Sequence, residues 1–191
     1  MLINHELKYI YIDTPKTGST SVEKVLFKHG FEIVYRQDKN ERHNRIISPK
    51  YKNYTKIATV RNPYTRTLSQ WTFNKILKNR LDEFENIEQF TDWLIDIDNM
   101  YNTNEIDHDI CGWFSCSKYL EKTGYDIILH QENLEEDINE LEFITTPVKL
   151  DRINDSNSKE YTKLLNKNVK EKINQYCKND FAEFDYIEEK I

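Results

Sequence analysis

The sequence predicts an α/β fold: a single domain with a P-loop-like, mainly parallel central sheet flanked by helices. Two patterns predict it. Short apolar strand-like runs alternate with segments of helical periodicity along the chain. The first clear run, Tyr9 to Asp13, also stops at a turn and feeds directly into a helix through Thr14-Pro15-Lys16-Thr17-Gly18-Ser19-Thr20-Ser21. In sheets of this kind ligands bind beyond the carboxyl ends of the strands, which is where this octapeptide falls.

The elements follow in order. After the Tyr9 run, Val22, Val25, Leu26 and His29 recur at helical spacing until Gly30 stops the helix. Phe31 to Tyr35 reads as a second strand, Arg36 to Asn44 as a polar loop, and Lys56 to Arg61 as a third strand. Asn62 is placed to cap a helix that starts at Pro63, carries Tyr64, Leu68 and Trp71 on one face, and runs to about Asn79. Ile87, Phe90 and Leu94 mark another helix. Asp98 to Tyr119 reads as irregular and is long for a connection, which suggests a wall or lid. Tyr125 to His130 is a further strand, and Asn133-Leu134-Glu135-Glu136 has capping-box spacing for a short acidic helix ending near Leu141. Val169, Ile173, Tyr176 and Cys177 define a final amphipathic helix.

With 191 residues, 38% hydrophobic and 13% aromatic, the chain suits one domain, residues 1–191, with a real core. The net charge of -6 argues against general nucleic-acid or anionic-membrane binding, so an anionic ligand must be drawn by a local basic site. No secretory h-region follows Met1 and no apolar run reaches transmembrane length, which implies a cytoplasmic protein without a membrane anchor. Cys111, Cys116 and Cys177 form no even framework and, with His108, lack zinc-site spacing; they read as free buried thiols. The sequons at Asn53 and Asn154 carry little weight without a secretory signal.

The octapeptide has the chemistry of a phosphate cradle. A strand-to-helix turn directs the backbone N–H groups from about Gly18 to Ser21 at one point, and Gly18 permits close approach. The hydroxyls of Thr17, Ser19, Thr20 and Ser21 can add hydrogen bonds, and Lys16 adds a mobile positive charge. A Walker loop places its lysine after the last glycine, whereas Lys16 precedes Gly18. An ordinary strand-to-helix turn is the plain alternative.

A second segment, Val60-Arg61-Asn62-Pro63-Tyr64-Thr65-Arg66-Thr67-Leu68-Ser69, ends a strand on an arginine and places a serine eight residues later. Guanidinium and hydroxyl suit a second, separate phosphate. The alternative is that Arg61 and Arg66 are exposed ion-pair partners.

Together the two segments resemble the donor-binding motifs of sulfotransferases that use 3'-phosphoadenosine 5'-phosphosulfate (PAPS). The resemblance continues in Gln131-Glu132-Asn133-Leu134-Glu135-Glu136-Asp137 and Asn179-Asp180-Phe181-Ala182-Glu183-Phe184-Asp185-Tyr186, which are similar to segments of the carbohydrate (heparan/chondroitin-type) branch. It implies sulfuryl transfer from PAPS to an acceptor hydroxyl on a carbohydrate or glycoconjugate, with 3'-phosphoadenosine 5'-phosphate (PAP) as product and no metal. It assigns Thr17, Gly18, Ser19, Thr20 and Ser21 to the 5'-phosphate, Arg61 and Ser69 to the 3'-phosphate, and Lys16 to both donor binding and the charge that develops on the leaving phosphate. His43 is the first candidate base and His108 the second. His5 and His130 read as packing or surface residues, and His29 as a helix-end residue.

Three other readings stay in view. A kinase-like phosphotransferase lacks its Walker lysine here. A glycosyltransferase would need Asp96-Ile97-Asp98 or Asp107-His108-Asp109 as a metal pair. A catalytically inactive nucleotide-binding module would keep the cradle without turnover. Tyr101, Trp113, Phe114 and Tyr119 can stack on a ring or pack in a core, and core packing is the commoner fate.

Overall fold

The sheet predicted from the sequence is present, with five strands in the order β3-β1-β2-β4-β5. The computed structural model describes residues 1–34, 47–100, 112–151 and 158–190. Its strands are β1 (Leu2–Asn4), β2 (Tyr9–Ile12), β3 (Glu32–Ile33), β4 (Thr55–Val60) and β5 (Ile127–His130). The pairings β2–β4 and β4–β5 are parallel, while β1 is antiparallel to both β2 and β3. Four strands therefore point one way and β1 alone is reversed.

β1 is the strand the sequence reading missed. Its three residues are too few to show an alternation, yet all three are buried. Asn4 holds its return turn: its side-chain carbonyl accepts the Leu7 N–H at 2.8 Å, and its amide donates to the His29 carbonyl at 2.9 Å. The segment 31–35, read as a strand, contributes only Glu32–Ile33, and Tyr35 lies outside the described residues.

The chain divides into two compact units, Met1–Val60 with Leu120–Ile153 and Arg61–Tyr119 with Asn154–Ile191. The first holds the whole sheet with α1 (Ser19–Lys28) and a helix at Leu134–Asn139. Val22, Val25 and Leu26 of α1 share one apolar cluster with Leu134 and Ile138 and with Tyr11, Ile57 and Leu129 of the strands. The alternate strand residues Ile10, Ile12, Ala58 and Val60 are also fully buried, so the central strands read as apolar on both faces. α1 ends as predicted: His29 is its C-cap, with Nδ1 3.0 Å from the Val25 carbonyl, and Gly30 follows at φ 79°.

The second unit is helical. It contains α2 (Pro63–Trp71), which continues as a π-helical turn over Thr72–Leu77, then α3 (Ile87–Met100), and α4 (Cys116–Leu120), which begins here. The Leu134–Asn139 helix is α5 in chain order, followed in this unit by α6 (Lys167–Tyr176) and α7 (Lys178–Glu183). Asn62 caps α2 as predicted, accepting the Tyr64 and Thr65 N–H groups at 3.1 and 3.4 Å. Its core gathers Tyr64, Leu68 and Trp71 of α2, Phe90 and Leu94 of α3, and Val169 and Ile173 of α6. Trp113, Phe114 and Tyr119 join the buried or ring-packed residues: Trp113 lies edge-on to Trp93 at 5.3 Å, and Phe114 and Tyr119 are buried. The stretch read as irregular is therefore helical at both ends, through Met100 and from Cys116.

One local expectation is corrected. Asn133 makes no side-chain cap at α5, because a 3₁₀ turn over Gln131–Asn133 already leads into the helix. The reaching carboxylate is Asp137, whose Oδ2 accepts the His130 N–H at the end of β5.

Candidate functional site: the carboxyl edge of the sheet

β2 and β4 are parallel, with Ile12 opposite Ala58, so they finish at the same edge of the sheet. The predicted phosphate loop leaves β2 there, and Arg61 is the first residue after β4.

The loop has an unusual backbone. Lys16 (φ 65°) and Gly18 (φ 85°) are both left-handed, while Ser19 begins the right-handed α1. A left-handed residue followed by a right-handed one turns successive N–H groups toward the same side, the geometry of an anion-binding nest. Lys16 carries a Cβ in that region, a strain that accumulates at ligand sites. Gly18 is exposed and has no such penalty. A Cβ built on it would also meet Gln131 Cγ at 3.3 Å and Leu134 Cδ2 at 3.5 Å, so the turn between β5 and α5 backs the loop closely.

The hydroxyls divide their work. Thr17 is fully buried and donates to the Thr14 carbonyl at 2.8 Å, closing the loop on itself. The Ser21 hydroxyl donates to the Asp151 carbonyl at 2.9 Å, and the Ser21 N–H is taken by the Gly18 carbonyl at 3.0 Å. The Ser21 N–H is therefore already committed within the loop. Thr14 is wholly buried and its Oγ1 has no hydrogen-bond partner, an orphaned polar atom inside the loop.

The second motif is ordered within the helical unit. Arg61 Nε donates to Thr65 Oγ1 at 3.1 Å, which ties the side chain along the first turn of α2. Ser69 lies two turns on, only 3% exposed. Arg66 is not the exposed ion-pair partner considered above: it is 1% exposed. Burial pulls its guanidinium toward neutrality, but the groups around it, Cys116, Tyr176, Asp180 and Cys177, outweigh that and hold its pKa above the ordinary arginine value. Burial itself drives Tyr176 and Cys177 well above their usual values, so these two are neutral at neutral pH. Asp180 is the carboxylate among the groups whose charge acts on Arg66. Cys116 and Cys177 are free and buried, as the sequence suggested.

Several expectations fall outside the described residues: His43, His108, Cys111, Tyr101, the Asp107–Asp109 pair and the Asn154 sequon. Of the other metal-pair candidate, Asp98 lies 3.4 Å from Lys118 Nζ. His5 is a surface residue with Nδ1 3.1 Å from the Tyr54 hydroxyl. Among the described residues no helix is long and apolar enough to cross a membrane.

This loop-and-strand architecture agrees with the comparison of the chain with known families. A model of the sulfotransferase family matches residues 1–187, and the chain belongs to that family. No curated protein and no solved structure matches the chain.

Proposed function

We propose that the protein transfers a sulfuryl group from PAPS to an acceptor hydroxyl on a carbohydrate or glycoconjugate, the whole of residues 1–191 serving as one sulfotransferase domain. Membership of the family carries sulfuryl transfer in general. The observation that most supports this donor is the left-handed, exposed Gly18 leading into α1 at the carboxyl edge, with an orphaned Thr14 hydroxyl beside it. Such a cradle fits the 5'-phosphate end of a nucleotide.

When bound, PAPS supplies an activated sulfuryl group on its 5'-phosphate. Lys16 to Ser21 would hold that phosphate, with Ser19 and Thr20 adding hydroxyls, while Thr17 and Ser21 brace the loop. The Lys16 ammonium stabilises the negative charge left on the phosphate as the bond to sulfur breaks. Arg61 and Ser69 hold the 3'-phosphate, and this second anionic site separates PAPS from ATP. The residues present supply positive field without calling for a metal. Sequence position alone offers His43 first and His108 second as candidates for the histidine that takes the acceptor's proton. A cytoplasmic location completes the reading.

Calorimetric titration with PAP, set against ATP plus Mg²⁺, tests the donor. Tight PAP binding with weak ATP binding supports PAPS, and the reverse order supports the kinase-like alternative. PAP binding with neither sulfate transfer nor donor hydrolysis supports the inactive module.

A further inference from the structure

The described residues hold one imidazole at the catalytic edge that the sequence reading set aside. His130 is the last residue of β5, directly opposite Val60 of β4 in parallel register. Val60 is the residue before Arg61, and Gln131, the residue after His130, is the one packed 3.3 Å from the position of a Gly18 Cβ. β5 lies two strands from β2, so about 10 Å separates His130 from the strand that delivers the phosphate loop.

The side chain is held by a carboxylate. Asp137 of α5 accepts the backbone N–H of His130, and the same Oδ2 lies 3.5 Å from His130 Nδ1. The His130 side chain is 34% exposed and Asp137 20%, so the pair is sheltered yet reachable. A carboxylate at Nδ1 favours the tautomer with the proton on that nitrogen, which leaves Nε2 able to accept one. An aspartate that orients a histidine in this way is the second half of many general-base pairs.

We infer that His130, oriented by Asp137, is the group that takes the acceptor's proton. The inference rests on the sulfuryl-transfer reading and places the base in the sheet edge itself. The acceptor oxygen forms the new bond to sulfur, its proton moves to His130 Nε2, and the bond from sulfur to the 5'-phosphate oxygen breaks. The electron pair stays on PAP, beside Lys16.

Two readouts test it. Long-range ¹⁵N–¹H NMR of the ligand-free protein at pH 8.5, where imidazole is neutral, should show His130 with its proton on Nδ1, and Asp137→Asn should lose that preference. Asparagine keeps an acceptor for the His130 N–H, so the turn should survive. In steady-state kinetics His130→Ala should lower kcat about 10²- to 10⁴-fold with the Kd for PAP unchanged. An Nε2–H tautomer in the wild type, or full turnover in His130→Ala, overturns the proposal. If the wild type binds no PAP, the donor reading fails, and the proposal with it.

Discussion

Asp180 and Arg66 are both buried in the helical unit, where the carboxylate's charge acts on the guanidinium. Arg66 is 1% exposed and Asp180 0%. The carboxylate is bonded on both oxygens, to the Cys116 N–H at 2.8 Å and to the Ser117 N–H and hydroxyl at 2.7 and 2.6 Å. It thus balances the charge of α2 while capping α4. Removing one member leaves a buried charge without compensation, which costs about 3–5 kcal/mol. Asp180→Ala should therefore lower the denaturation midpoint steeply in urea. Replacing both at once, Arg66→Met with Asp180→Leu, should recover part of the loss, since the apolar pair leaves no buried charge; urea titration of the double variant checks this.

The neighbouring thiol and phenol give a pH dependence of known sign. Burial raises the pKa values of Cys177 and Tyr176 in the folded state. Above about pH 8.5 the unfolded chain loses its cysteine proton while the folded chain keeps it, so the unfolded state binds fewer protons and stability falls. The contribution is complete below that pH and is lost as pH rises toward the folded values. Melting temperatures measured from pH 7 to 10 should decline, and Cys177→Ala should flatten the part of the slope between pH 8.5 and 10.

Gly18 combines two demands, a left-handed φ of 85° and close backing by Gln131. Gly18→Ala should cost about 1–2 kcal/mol from the backbone alone. Shortening the contact with Gln131→Ala in the same chain should not restore the stability, because the backbone strain remains. Thermal melts of the two variants separate the steric from the conformational part.

Much of this was legible beforehand. The Tyr9 strand, the loop, α1 and the Asn62 cap of α2 follow from local chemistry: apolar runs, a glycine at a turn, an asparagine before a proline. What was hidden depends on distant partners. β1 is three residues long and owes its pairing to strands on both sides. Arg66 looks like any exposed helical arginine until distant parts of the chain, Cys116, Tyr176 and Asp180 among them, bury it. His130 read as a surface or packing residue because Asp137, seven residues on, lies across a turn whose 3₁₀ geometry the capping-box spacing did not indicate.

The two proposed anion sites should fail differently. Lys16→Ala removes a charge needed as the leaving phosphate develops, and kcat should fall about 10²- to 10³-fold. Arg61→Ala removes a charge-assisted hydrogen bond worth about 2–3 kcal/mol, so the Kd for PAP should rise roughly 30- to 150-fold. Stopped-flow turnover and calorimetry on the two variants distinguish these signatures. Equal PAP affinity in Arg61→Ala and wild type would remove Arg61 from the 3'-phosphate.

The most direct measurement follows the sulfuryl group itself, using PAPS labelled at sulfur and a panel of hydroxyl acceptors that includes oligosaccharides, simple phenols and alcohols. Sulfuryl transfer from PAPS predicts label on a saccharide hydroxyl with one PAP released per transfer, and loss of that label in Lys16→Ala. Label that stays on the donor with every acceptor, while PAP still binds, would contradict it.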